Sequence, residues 1–256
     1  MQADLALRLQ TLHAQAAPLV VYNAWDAGSA GAIREAGSPL VATSSWAIAA
    51  AQGYEDGEAL PLDVLAQIVP RIVAKVPDVP VTVDFEGGYA EDGATVANNV
   101  ARLLDLGVVG INFEDRVVKG KGLYSIEAQS ARIAAIRAMA EVRGIPMFIN
   151  ARSDVYFDDG FAPEQRLEAA KARAAAYASA GASGFFAPGL ANIDEIRALC
   201  ASTPLPVNVM MWPGLPDLAA LTQAGVKRIS HGPGPYRAAM QGVQAAASAL
   251  FGTGRR

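Results

Sequence analysis

The chain has 256 residues, 52% of them hydrophobic and 18% charged, a composition too apolar for a disordered chain. Its formal net charge of -4 argues against the basic face of a nucleic-acid binder. No run approaches the ~20 continuous apolar residues of a membrane span, no leader pattern opens the sequence, and the single cysteine, Cys200, rules out an internal disulfide. A cytoplasmic protein without nucleic-acid or membrane partners is therefore expected.

In chain order, helical spacing at 3–15 gives way to short β-branched runs that alternate with longer alanine-rich amphipathic runs. A strand at 18–23 precedes a helix near 26–36, a strand at 40–45 precedes a helix at 61–76, and a strand at 80–86 precedes a helix at 93–106. The same pairing follows at 109–114 and 125–142, at 146–151 and 163–180, and at 184–187 and 191–200. It closes with 206–211 and 215–224, then 227–231 and 235–250. Eight strand–helix pairs predict an α/β protein, a (β/α)8 TIM barrel forming a single domain over 1–256 with a short N-terminal helix. An open doubly wound sheet is the rival, and strand number and length favour the barrel. Ala-Gly or Leu-Gly pairs ending at Gly37, Gly107, Gly181 and Gly225 mark helix C-termini, where glycine supplies the left-handed cap. Pro18, Pro39, Pro80, Pro146 and Pro206 open strands, where a missing N–H costs least.

In a barrel, function collects at the C-terminal ends of the strands. Those ends read Asn23 and Asp26; Thr43, Ser44, Ser45 and Trp46; Asp84 and Glu86; Asn112, Glu114 and Asp115; Asn150, Arg152 and Asp154; then Asn208, Ser230 and His231. Side chains alternate along a strand, so Asp84 and Glu86 are expected on one face, as are Asn112 with Glu114 and Asn150 with Arg152. Inward carboxylates need a partner. The ligands Asp84, Glu86 and Glu114 are hard oxygens, and the two histidines, His13 and His231, fall far apart, so the expected ion is Mg2+ with Mn2+ as a substitute rather than zinc. Arg152 offers a planar fork to a substrate carboxylate, and together with the cation it suits an enolate. Ser44, Ser45 and Trp46 hold a second carboxylate end or simply form a serine-rich turn. Asp56 reaches metal-bound water or is an ordinary turn residue. The five lysines, Lys75, Lys119, Lys121, Lys171 and Lys227, avoid the predicted strand ends, which argues against a Schiff-base mechanism.

VDFEGGY ending at Tyr89, INFEDR around Glu114, NARSD around Arg152 and TSSWAIAAAQGYEDGE at 43–58 together resemble the isocitrate lyase/phosphoenolpyruvate mutase superfamily, in particular a carboxyphosphonoenolpyruvate phosphonomutase-like member. The likeness runs in the same order from about residue 18 to 240. It implies a (β/α)8 barrel, Mg2+ dependence and chemistry on small 2-oxo or 2-hydroxy acids through a pyruvate-like enolate. It also implies that Asp84 binds Mg2+ directly, that Glu86, Glu114 and Asp56 hold it directly or through water, and that Ser44, Ser45 and Trp46 contact the substrate carboxylate. Arg152 would contact the substrate oxygens and Asn208 would line the pocket. A homo-oligomer, tetramer or dimer, is implied as well, without carrying over the family's exchanged C-terminal helix. Two departures matter. Glu86 stands where the family usually has Asp. The segment Val117–Tyr124 lacks both the Cys-containing lyase loop and the Lys-x-Asn segment of the mutases and hydrolases. The expected reaction is cleavage of a C–C bond by retro-aldol or decarboxylation. C–P bond chemistry on phosphonopyruvate or carboxyphosphonoenolpyruvate, and non-catalytic binding of a 2-oxoglutarate-like dicarboxylate, are the alternatives.

Overall fold

A computed structural model describes residues 1–252. Helix α1 (Gln2–His13) precedes β1 (Leu19–Val21), β2 (Asn23–Ala24), α2 (Ala27–Glu35), β3 (Val41–Thr43), α3 (Ser45–Ala51), α4 (Leu62–Lys75), β4 (Val81–Asp84), α5 (Gly93–Asp105) and β5 (Gly110–Glu114). There follow α6 (Ile126–Val142), β6 (Phe148–Arg152), α7 (Pro163–Ser179), β7 (Gly184–Phe186), α8 (Ile193–Ser202), β8 (Val207–Met210), α9 (Leu218–Gln223), β9 (Arg228–Ser230) and α10 (Gly234–Gly252). The strands are all parallel in the order β1-β9-β8-β7-β6-β5-β4-β3-β2. Because β1 and β2 are consecutive pieces of one stave, this order is a barrel of eight staves, as the alternation predicts.

The expected strand at 18–23 is split because β1 pairs with β9 while β2 pairs with β3. Asn23 ties the seam. Its side chain donates to Thr43 O at 2.8 Å and accepts from His231 N at 3.0 Å. The four cap glycines have φ between 94 and 98°, the left-handed geometry that suits glycine.

Apolar side chains pack in two places. The larger cluster fills the space between the outer strand faces and the helices, with Val83, Phe113, Ile149 and Phe185 at its centre. The smaller cluster lies inside the barrel at its N-terminal end, where Ala6, Leu9 and Leu12 of α1 meet Leu19, Leu40, Ala42 and Phe148. Their spacing of three puts these residues on one face of the helix, so α1 plugs the floor.

Two local expectations are corrected. The run 40–45 leaves the strand after Thr43, and Ser44 caps the short helix α3, its Oγ accepting from Ala47 N at 3.4 Å. The run 80–86 leaves the strand after Asp84, and Glu86 turns back with φ 48°. Strand alternation therefore does not relate Glu86 to Asp84. It does hold for β5 and β6, whose register pairs Asn112 with Asn150 and Glu114 with Arg152.

Candidate active site

The staves bring Asp84, Asn112 and Arg152 to the C-terminal mouth of the barrel, where they line a cavity of about 210 Å³ with Ser44, Ser45, Trp46 and Asp56. Asp84 is held by Ser45, whose N–H and hydroxyl donate to Oδ2 at 3.1 and 2.7 Å, and its own N–H donates to Thr43 Oγ1 at 3.0 Å. Ser45 is thus turned to Asp84, and the Ser44 hydroxyl is engaged as a helix cap. Trp46 packs against Tyr236 and lies under the Arg237 guanidinium at 4.6 Å.

Glu86 and Glu114 form the wall behind this mouth, 5% and 4% exposed. Glu86 accepts from Glu58 N at 2.7 Å, and Glu58 in turn accepts from Tyr89 N at 2.7 Å. Glu58, Glu86 and Tyr89 are also the non-glycine residues with positive φ among the described residues, so backbone strain is concentrated in one hydrogen-bonded patch beside the cavity. Arg132 anchors this patch from α6. It donates to Gly87 O and, at 2.9 Å, to Ala90 O, and it stacks on Phe113 and Tyr124. The segment 117–124 folds into a tight turn, with Val117 N donating to Gly122 O at 3.0 Å and Arg116 bridged to Leu123. Tyr89 and Tyr124 line a neighbouring cleft rather than the Asp84 cavity.

Arg152 is engaged on every nitrogen. Nε and Nη2 meet the two oxygens of Asp154 at 2.6 and 2.8 Å, and Nη1 meets Glu114 Oε2 at 2.9 Å. Asp154 is fixed by its own N–H, which donates to Asp115 Oδ1 at 3.0 Å. Asp115, completely buried, also receives Arg173 and Tyr177 from α7 at 3.0 and 2.9 Å. Asp154 continues the period-two run from Asn150 and Arg152, the one signal in the sequence for its place at the site. Asn208 lies below the cavity in a layer of amides, its Oδ1 accepting from Asn150 Nδ2 at 3.0 Å while Asn150 also donates to Asn112 at 2.9 Å.

Burial pushes the Glu86 carboxyl up to about 8, and the charges of Asp56 and Asp84 add to it. Burial raises Glu114 well above the usual range although Arg152 pulls it down. Asp56 is raised by burial first and then by Asp84. Burial opposes the charge on Arg152, yet Asp154 and Glu114 together hold its pKa well above the ordinary value. A pocket of carboxylates that raise one another's pKa attracts positive charge. Among the described residues, no three His, Cys, Asp or Glu side chains are gathered into a ready-made metal centre. The donors are nevertheless all hard oxygens, and Mg2+ takes one or two carboxylates while keeping its waters. Asp84, partly exposed at the cavity, is the acid best placed to offer one. A second, larger cleft of about 580 Å³ opens at the opposite end of the barrel around His13, Cys200 and Lys227, remote from these acids.

Residues 9–251 match the family model described as phosphoenolpyruvate phosphomutase. An uncharacterized protein of Mycobacterium tuberculosis is 33% identical over 239 residues, which cover 93% of this chain and 87% of that one. A Corynebacterium glutamicum protein named probable 2-methylisocitrate lyase 2 is 32% identical over 192 residues, covering 72% of this chain and 59% of its own. A crystal structure of a candidate phosphonomutase from Burkholderia cenocepacia superposes with a TM-score of 0.91 at 43% identity, covering 98% of this chain and all of that one.

Proposed function

Because the chain belongs to the phosphoenolpyruvate phosphomutase family, whose members are carbon–carbon lyases and mutases, we propose that it is a Mg2+-dependent lyase. It cleaves a C–C bond of a small 2-oxo or 2-hydroxy carboxylic acid, by retro-aldol or decarboxylation, through a pyruvate-like enolate. The observation that carries this reading is the convergence of Asp56, Asp84 and Arg152 on one cavity, with Glu86 and Glu114 buried behind it. Asp84 would hold the cation, with Glu86, Glu114 and Asp56 around it through water, and Mn2+ would substitute. When bound, the cation supplies positive charge to the oxygen on which the enolate charge grows.

The protein's own groups do the rest. Arg152, kept rigid by Asp154 and Glu114, presents a fixed positive charge to the substrate oxygens. Ser45 holds the Asp84 carboxylate in one orientation, and the Asp56 carboxyl lines the same cavity, its pKa raised by burial and by Asp84. Ser44 and Trp46 border the substrate carboxylate, and Asn208 fixes the amide layer beneath. Decarboxylation suits a site without a loop cysteine, since CO2 departs without needing a proton.

No helix among the described residues is long and apolar enough to cross a membrane, and a cytoplasmic location is proposed on the lone, unpaired cysteine. Self-association is proposed on α10, where Val243 and Phe251 are 62% and 78% exposed, more apolar surface than one helix usually leaves to water.

The test is a screen of 2-oxo and 2-hydroxy acids with Mg2+, read for pyruvate, glyoxylate or CO2, alongside phosphonopyruvate. Turnover of a carboxylic acid that is lost in Asp84→Ala supports the lyase. Turnover of phosphonopyruvate alone replaces it with C–P chemistry, and metal-dependent binding without any turnover replaces it with a binder.

A further inference from the structure

The cavity has two chemically opposite sides. With β1 and β2 counted as one stave, β4 is third and β8 seventh in the ring of eight, so Asp84 at the end of β4 faces the end of β8 across the mouth. The lining on that far side includes Phe186 from β7, Met210 from β8, Trp212 from the loop after β8 and Phe157 from the loop after β6, with Ser230 of β9 beside them. Phe157 and Trp212 touch, with ring centroids 5.8 Å apart, although each remains 43–46% exposed. Two large aromatic side chains held half in water at the rim of a cavity have apolar area left to bury.

Charge is distributed just as unevenly. Among the described residues that line the cavity Arg152 is the one cation, and its nitrogens are already bound by Asp154 and Glu114. It stands on β6, with its guanidinium 6.0 Å from the Phe186 ring, at the edge of the apolar side rather than beyond it. A ligand whose head sits at Asp84 and Arg152 therefore projects its other end onto Met210 and Trp212, where no Lys, Arg or His among the described residues lines the cavity. A second carboxylate or a phosphonate placed there would lose water without gaining a cationic partner.

We propose that the site selects carboxylates with an uncharged, apolar far end, received by Phe157, Phe186, Met210 and Trp212. The selection rests on the reading of the opposite side as a Mg2+-assisted oxyacid site. It narrows the substrate to a 2-oxo or 2-hydroxy acid bearing a short alkyl or aryl substituent, and it disfavours tricarboxylates and phosphonates.

The experiment measures dissociation constants by calorimetry in Mg2+ for oxalate, which is all head group, then pyruvate, 2-oxobutyrate and 2-oxovalerate, and finally 2-oxoglutarate, which matches 2-oxovalerate in length but ends in a carboxylate. Each added methylene should tighten binding by about fourfold, corresponding to about 0.8 kcal/mol per buried CH2, and 2-oxoglutarate should bind more weakly than 2-oxovalerate. In Trp212→Ala and Phe157→Ala, both at exposed positions, the gain along the series should shrink relative to oxalate measured on the same variant. A flat series, or 2-oxoglutarate tighter than 2-oxovalerate, with oxalate still bound, overturns the selection alone. Failure of oxalate to bind in Mg2+ overturns the head-group reading and the selection with it.

Discussion

The backbone N–H of Glu58 donates to the carboxylate of Glu86 at 2.7 Å while both residues hold left-handed backbone angles, φ 56 and 48°. Two strained positions from loops on neighbouring staves thus stabilise each other, and the Glu58 side chain extends the link to Tyr89 N. Strain of this kind costs on the order of 1–3 kcal/mol per residue and persists only where surrounding contacts over-determine it.

Glu58→Ala removes the acceptor for Tyr89 N and should cost about 1–2 kcal/mol in urea unfolding. Glu58→Gln keeps an oxygen in place and should cost much less. Equal losses in the two variants would mean that the side-chain link contributes nothing.

Arg152→Ala leaves Glu114 and Asp154 buried without their cation, and a loss of about 3–5 kcal/mol is expected at neutral pH. Arg152→Lys keeps the charge but cannot bridge both oxygens of Asp154 as a planar fork does, so it should recover only part of that loss and still impair turnover. The deficit of Arg152→Ala should narrow as the pH falls, because Glu114, already raised by burial, can take up a proton. Guanidinium unfolding at pH 8 and pH 6 checks both points, and a lysine variant with the parent's stability and rate would sink the clamp.

His13 stacks on Phe148 at 4.0 Å in the barrel floor, and burial, aided by Arg228, lowers its pKa to about 3. Nδ1 lies 2.8 Å from Leu9 O, a contact that favours the charged ring but is outweighed by burial and by Arg228, so the ring is held neutral. Below the unfolded value near 6.5 the unfolded chain binds a proton that the folded one refuses. The stability contributed by His13 is therefore complete above pH 6.5 and is lost as the pH falls toward 3. Between pH 7 and pH 5 the parent should lose about 2 kcal/mol more than His13→Gln. Parallel stability curves for the two proteins would contradict the buried neutral ring.

Catalysis is expected to be independent of the thiol. Cys200 sits on α8 against Gly225, in the cleft at the closed end of the barrel, and burial pushes its pKa up to about 11. A protonated thiol reacts slowly, and general acid–base transfer needs contact within about 3 Å or one bridging water. Cys200→Ser should retain full turnover on whichever acid the screen identifies, and iodoacetamide should leave activity intact. Loss of turnover in a folded Cys200→Ser protein would reopen the mechanism.

Repeated strand and helix periods, with glycine at the helix ends and proline at the strand starts, were enough to define the barrel. Alternation within β5 and β6 was enough to put Asn112 with Glu114 and Asn150 with Arg152 on inward faces, because hydrogen-bonded periodicity is a local property of the chain. The alternation of a strand does not apply to Glu86. It comes beside Asp84 through a left-handed turn fastened by Glu58, and a turn of that kind leaves no period to read. The engagement of Arg152 by Asp154 and Glu114, the retreat of Asn208 into the layer below, and the meeting of Phe157 with Trp212 opposite Asp84 were decided by the tertiary structure. Each depends on which staves become neighbours or face one another when the sheet closes, and inter-strand register and closure are set by the packing of the whole barrel rather than by any one segment.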